Sequence, residues 1–409
     1  MKADLHARAA ACALDIARDL RVPSDVTASL SDRAAHTLCH GLAGTALLHA
    51  CLAEAEPGSA KTAAAHWDAA ARLLGKAPPD GMHTGPGALA ASLIIGTGYL
   101  APHDPHQALL PRATAWLSAR AAALARHHFH RAARAEATPW AVYDAIKGLT
   151  GIGRVLLAAH TRGHGAEAEP GLNAALTALT HMILASTGTR PGWWLPATLH
   201  PPTVRIPSSG AATTGLAHGI AGPLALLATA HRAGHTVPGQ NDAIHTAAQW
   251  LLTWQTPQRT WPPHVSGTAL DDGPSGTTTR ITGRTTAWCY GTPGIAAALT
   301  GATHALGLPA LNRTAAAAMA SLAARSPDHW DTEGTALCHG SAGILQSALR
   351  LSCRPLVDMA AHATLLGATT ARPHGFLTGR AGTALTLADL GGLLSAGPTA
   401  TWDCLLLLS

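Results

Sequence analysis

The sequence predicts an all-α fold, an α/α toroid of about seven helical hairpins with loop or short-strand insertions over the mouth of the ring. Three observations point there. A short phrase (glycine, two residues, glycine) recurs along the chain and each time opens an apolar run. The shorter steps between copies, about forty residues, have room for two helices and two turns. The runs after the phrase are apolar nearly all round, whereas the segments between them are amphipathic, so a buried layer alternates with an outer one.

The phrase appears as His40-Gly41-Leu42-Ala43-Gly44 and, in degenerate form, as Gly85-Pro86-Gly87. It returns as Gly148-Leu149-Thr150-Gly151, His218-Gly219-Ile220-Ala221-Gly222, Gly291-Thr292-Pro293-Gly294, Gly340-Ser341-Ala342-Gly343 and Gly379-Arg380-Ala381-Gly382. Glycine permits a sharp helix entry and a close backbone approach, and Pro223 and Pro293 fall where a first helical turn tolerates proline. Ile295-Ala296-Ala297-Ala298-Leu299 reads as a buried helix. In Ala65 to Leu74, Trp67, Ala70, Ala71 and Leu74 are expected on one face, with Asp68 and Arg72 four apart on another. Closing the ring gathers all the phrases at one end, where the positive helix ends favour an anionic guest. A chain of 409 residues leaves room for several domains, but the repetition argues for one unit spanning 1–409. The longer steps carry insertions at Pro191 to Thr214 and Thr256 to Gly283, rich in Pro, Gly and Trp. Both are expected over the ring mouth as a substrate lid, plain surface loops being the alternative.

Composition narrows the function classes. The chain is 47% hydrophobic and 12% charged, which suits an extensive core. The net charge of +5 comes without a block of like charges, so no nucleic-acid arm is indicated. No secretory apolar segment and no bilayer-length apolar run is present; the expectation is a cytoplasmic protein that is not integral to a membrane. The 7 cysteines are scattered, which favours free thiols or metal ligands over a disulfide framework.

Two phrases carry soft ligands. Trp288-Cys289-Tyr290-Gly291 and Leu337-Cys338-His339-Gly340 each place a thiol or imidazole just ahead of the glycine. Cys289, Cys338 and His339 would make a three-ligand zinc site with one open position, the arrangement of catalytic sites. The same residues taken alone also suit buried, inert thiols. Cys39-His40 copies the Cys338-His339 pair. In a closed ring, however, the seventh repeat separates the first from the sixth, while the fifth and sixth are neighbours. Cys289 with Cys338 and His339 is therefore the expected set, and Cys39 a small buried residue.

Further phrases are Tyr143-Asp144-Ala145-Ile146-Lys147-Gly148, Gly215-Leu216-Ala217-His218-Gly219-Ile220-Ala221-Gly222-Pro223 and Phe376-Leu377-Thr378-Gly379-Arg380-Ala381-Gly382. Taken in order with the two cysteine phrases, they resemble the lanthionine synthetase C-like family, in particular the stand-alone LanC-type lantibiotic cyclases. That resemblance implies an α/α toroid, one zinc ion, and closure of thioether rings in a dehydrated precursor peptide. It also implies Cys289, Cys338 and His339 as zinc ligands, His218 as the acid/base residue and Asp144 as its support. The chemistry agrees: a metal-bound cysteine is held as thiolate at neutral pH, and an imidazole suits the proton transfers of addition to dehydroalanine or dehydrobutyrine. Read without the family, Asp144 is a helix cap, and Tyr290 is either a hydrogen-bond donor or core. The family's arginine, four residues before the first zinc cysteine, is here Thr285; Arg284, one residue earlier, is carried as the anion-stabilising residue.

The chain is too short to include a dehydratase domain. It is expected to act after a separate dehydratase on a precursor with its leader, in a complex with that enzyme and an exporter at the inner membrane surface. Rival readings are addition of a small thiol such as glutathione to dehydrated residues, and a non-catalytic scaffold that binds modified peptides. A toroidal glycosidase needs two facing carboxylates, and only Asp144 lies close to the phrases.

Overall fold

Each glycine phrase does start a helix, and the helices alternate between two layers. The computed structural model describes residues 2–75, 80–202, 204–274, 284–368, 373–395 and 399–409. Among these, fourteen helices have ten residues or more. They are α1 (Lys2–Asp19), α2 (Leu42–Cys51), α3 (Ser59–Leu73), α4 (Gly85–Gly96), α5 (Leu110–Ala132), α6 (Leu149–Thr161), α7 (Gly165–Leu184), α8 (Ala221–Arg232), α9 (Gln240–Thr253), α10 (Thr292–Leu306), α11 (Pro309–Ala323), α12 (Ser341–Arg350), α13 (Arg354–Gly367) and α14 (Arg380–Leu390).

The even-numbered helices form the inner layer. Each packs on the next, and α14 packs on α2, which closes the ring. The odd-numbered helices stand outside: α3 backs α2, and so on to α13 behind α12, while α1 backs α14. The seventh hairpin is thus assembled from the two ends of the described chain. All residues of α2 are buried, as expected of a helix apolar all round. In α3 the buried stripe is Ala63, His66, Trp67 and Ala70; Ala71, expected on that face, is exposed. The stripe turns because His66 is held inward, with Nδ1 at 2.7 Å from Thr45 Oγ1 and Nε2 at 3.1 Å from the Arg21 carbonyl. A polar ring so satisfied is buried at little cost.

The second glycine of each phrase is required by contact. A Cβ at Gly294 would run into the Trp288 carbonyl, and one at Gly343 into the Leu337 carbonyl. In both cases the turn ahead of the helix folds its own backbone onto the helix's first turn, a closeness that a side chain forbids.

The two insertions pair with each other. β1 (Ser186–Thr187) and β2 (Arg190–Pro191) form a small hairpin. β3 (Trp194–Leu195), β4 (Ala211–Thr213) and β5 (His264–Ser266) form an antiparallel sheet in that order, with Thr213 opposite His264. Residues 275–283 of the second insertion lie outside the described residues.

Inside the ring lies a segment that the repeat pattern did not announce. Trp402–Leu406 is a buried 3-10 turn. Trp402 N donates to Tyr99 Oη at 2.9 Å, Trp288 Nε1 donates to the Leu406 carbonyl at 3.0 Å, and Gln346 Nε2 and Arg350 Nε donate to the fully buried Asp403. Arg154 on α6 reaches the Ser409 carbonyl at 2.8 Å. Its partners come from several inner repeats, so this segment fills the bore beneath the glycine-phrase end. No helix among the described residues is long and apolar enough to cross a membrane.

Candidate metal centre

The seven turns ahead of the inner helices are tied to one another by backbone hydrogen bonds that run round the ring. Leu38 N donates to His83 O, Met82 N to Ile146 O, Ala145 N to Ala217 O and Ala217 N to Cys289 O. The cycle continues from Cys289 N to Cys338 O at 3.2 Å, Cys338 N to Leu377 O at 2.9 Å and Leu377 N to Cys39 O at 3.2 Å. Cys289 and Cys338 are therefore neighbours through a direct peptide-to-peptide bond. Asp331 reinforces the joint: its carboxylate accepts from the backbone N–H and the hydroxyl of both Thr285 and Thr286. This explains the residue four before Cys289, since the Thr285 hydroxyl is used to fasten the fifth turn to the sixth.

Cys289, Cys338 and His339 come together as a group, each offering one ligand atom, with these atoms within 4.8 Å of one another. Tetrahedral zinc, with bonds of about 2.0–2.3 Å, keeps its ligand atoms roughly 3.3–3.8 Å apart, so the three stand within reach of one ion. The donor chemistry fits as well. The Cys289 thiol is brought down to about 6, chiefly because Cys338 and then His339 hydrogen-bond to its thiolate, against the opposing effect of burial. Cys338 is pushed up for the complementary reason, since it keeps the proton that it shares with Cys289. A thiolate, a second thiol and an imidazole form a soft set that a divalent cation of zinc type takes in place of that proton.

The imidazole of His339 has a carboxylate behind it. Glu333 Oε2 lies 3.4 Å from His339 Nε2, and Glu333 Oε1 accepts from Arg284. Arg284 is close enough that its charge opposes, as the weakest of the influences, the rise that Cys289 and burial impose on the Cys338 thiol. Cys39 stays outside the group. Burial pushes its thiol up to about 12, and the neighbouring His40 Nδ1 is taken by Thr378 Oγ1 at 2.7 Å.

In the adjoining fourth turn, whose Ala217 N donates to the Cys289 carbonyl at 2.9 Å, stands His218. Its Nδ1 is 2.7 Å from Asp144 Oδ2. Asp144, 2% exposed, serves two masters. Its Oδ1 accepts from the backbone N–H of Ile146, Lys147 and Gly148 at 3.0, 2.7 and 2.9 Å, closing the turn before α6, while Oδ2 orients the imidazole. Asp144 therefore closes the turn and faces the imidazole, but it does not cap α6, whose N-cap is Gly148 without a side-chain capping bond. Trp140 stacks flat on His218, with centroids 5.0 Å apart and 14° between planes. Tyr290 is half-buried with its ring 5.9 Å from His218, and burial raises its phenol well above the usual range. It is therefore a neutral hydroxyl on a ring that packs against the core and borders His218.

Trp140, Asp331 and Glu333 were not found from the sequence. Asp331 and Glu333 precede Cys338-His339 and could have been noticed as acids running into a ligand pair. Trp140 has no local signature, because its role depends on a ring that arrives from another repeat.

Comparison with known proteins bears on the family and the fold. Residues 32–353 match the model of the family described as lanthionine synthetase C-like protein. Among solved structures, one titled nisin cyclase superposes with a TM-score of 0.74 at 18% identity, covering 92% of this chain and 93% of that one. Comparison with curated proteins gives no match. The ring of inner and outer helices, the glycine phrases and the family match over most of its length place this chain in the lanthionine synthetase C-like family.

Proposed function

We propose that this protein is a zinc-dependent cyclase that adds cysteine thiols of a precursor peptide to its dehydroalanine or dehydrobutyrine residues, forming lanthionine or methyllanthionine rings. The observation that carries the reading is the meeting of two thiols and an imidazole, drawn from two repeats, beside a histidine already oriented by a buried carboxylate. The family supports it, as does the cyclase activity in the printed name of the structural neighbour.

Cys289, Cys338 and His339 would hold the ion, which when bound lowers the pKa of a substrate thiol. The remaining work falls to this chain's own residues. His218, with Nδ1 engaged by Asp144, accepts the thiol proton at Nε2. The sulfur adds to the β-carbon, the double-bond electrons move toward the acyl oxygen, and His218 returns the proton to the α-carbon. Arg284 supplies positive charge near the developing anion, and the Tyr290 hydroxyl donates at the pocket edge. The sheet β3–β5 covers the mouth as a substrate lid. The substrate is a dehydrated precursor carrying its leader, delivered by a separate dehydratase and passed to an exporter, in the cytoplasm at the inner membrane surface.

The test is metal analysis of the wild type and Cys338→Ala, with mass spectrometry of a dehydrated peptide after thiol alkylation. The wild type should carry about one zinc and consume peptide thiols without adding mass; Cys338→Ala should lose both properties. Added glutathione appearing in the product instead would favour the small-thiol reading. Full ring closure with the metal chelated away would overturn the mechanism.

A further inference from the structure

A second imidazole borders the same pocket. The register of β4 against β5 sets His264 opposite Thr213, and Thr213 Oγ1 lies 3.3 Å from His264 Nδ1. Thr213 is fully buried, and His264 is the partner of its hydroxyl. The His264 ring lies 5.7 Å from Tyr290 and parallel to Trp140, at 6.2 Å and 9°. His218 borders the same two rings, at 5.9 and 5.0 Å. Two imidazoles from different parts of the chain therefore share one aromatic wall, adjacent in sequence to Cys289 through Tyr290. The groups facing His264 are Thr213, His200, His218, Tyr290 and Trp140, and none of them is a carboxylate. Burial, then the charges of His200 and His218, hold its pKa down to about 4, so the ring is neutral at pH 7. In the tautomer whose Nδ1 accepts the hydrogen bond from the Thr213 hydroxyl, the neutral ring carries its one proton at Nε2.

Building on the cyclase reading above, we infer that His264 is a further catalytic residue, whose Nε2–H donates to the acyl oxygen of the dehydro residue as negative charge moves onto it. The step balances without a proton from His264. The carbon–sulfur bond forms at the β-carbon and the carbon–carbon π bond breaks. Its electrons rest on the acyl oxygen, held by the Nε2–H, until His218 delivers the thiol's proton to the α-carbon. A fixed, neutral donor aimed at an oxyanion stabilises that charge without giving up its own proton. The placement has a structural logic: His264 comes from an insertion, so the donor reaches the pocket only when the sheet has formed over the mouth.

The experiment compares His264→Phe, which keeps a ring without a donor, with His264→Gln, which restores an N–H near the Nε2 position. Ring-closure kinetics on a dehydrated peptide are measured beside zinc content and thermal melting. His264→Phe should lose about a hundredfold in kcat with KM changed by no more than about twofold and zinc content unchanged, and His264→Gln should regain about tenfold. A His264→Phe enzyme with wild-type kcat, a His264→Gln variant no better than it, or a loss that follows lost zinc or a lost fold overturns the assignment. Wild-type, zinc-loaded protein that closes no ring overturns the cyclase reading itself, and with it the role given to His264.

Discussion

Asp144→Asn separates the two duties of one carboxylate. In the folded protein Oδ1 accepts three backbone N–H groups at 2.7–3.0 Å and Oδ2 faces His218 Nδ1 at 2.7 Å. A hydrogen bond to a charged acceptor contributes about 1.5–3 kcal/mol, against about 1 kcal/mol for a neutral one. Neutralising the acceptor of three such bonds should therefore cost roughly 2–4 kcal/mol, a large part of the margin of a typical domain yet compatible with a folded protein. The surviving carbonyl oxygen will stay with the three N–H donors, which turns the amide NH2 toward His218. Nδ1 must then accept, and the ring proton moves to Nε2, the nitrogen needed as base. Turnover should fall by about 10²–10⁴. Urea unfolding with peptide ring-closure kinetics reads both effects. His218→Gln should lose comparable turnover with a smaller loss of stability, and the double variant should show turnover losses that do not add. An Asp144→Asn protein with wild-type stability would refute the turn-closing argument. One with reduced stability but wild-type turnover would refute the orienting argument alone.

Two other outcomes follow from the fold. Gly343→Ala sets a Cβ against the Leu337 carbonyl and should cost about 1–3 kcal/mol, lowering the melting temperature and loosening the turn that bears Cys338 and His339; an unchanged melt would show that the turn yields. Buried histidines should make the protein acid-sensitive. Burial depresses His49 and His128 to about 4 and His83 to about 3, while unfolded histidine titrates near about 6.5. Between these values the unfolded chain binds more protons, so stability is full above about pH 6.5 and is lost as pH falls toward about 4. Unfolding followed from pH 7 to pH 4 should show this decline, with a shallower slope in His128→Gln; no change across that window would contradict the neutral burial of these rings.

Much of this was legible in the linear chain. The glycine phrase marks helix starts because backbone closeness is a local demand, visible wherever Gly294 or Gly343 meets its own upstream carbonyl. The buried and outer layers were legible in helical periodicity, although one residue of α3 sat off the expected face because His66 found partners on other segments. Asp144 was read either as a cap or as a support for His218; its Oδ1 closes the turn ahead of α6 rather than capping the helix, while Oδ2 faces the imidazole. Arg284 was carried as a shifted substitute; its link through Glu333 to His339 depends on an acid in another repeat.

By itself the sequence determined the repeat, the alternation of layers, the ligand types and their place before helix starts. These rest on interactions spanning a few residues, and so they leave a local record. The order of the repeats implied which turns adjoin if the ring closed; the tertiary structure supplied the closure and the contact, a backbone cycle that puts Cys289 N on Cys338 O and leaves the seventh turn between Cys39 and the group. It also decided that Trp402–Leu406 fills the bore and that an inserted strand brings His264 to Tyr290. Closure is a property of the whole inner layer, in which α14 must meet α2, and no stretch of neighbouring residues carries that information.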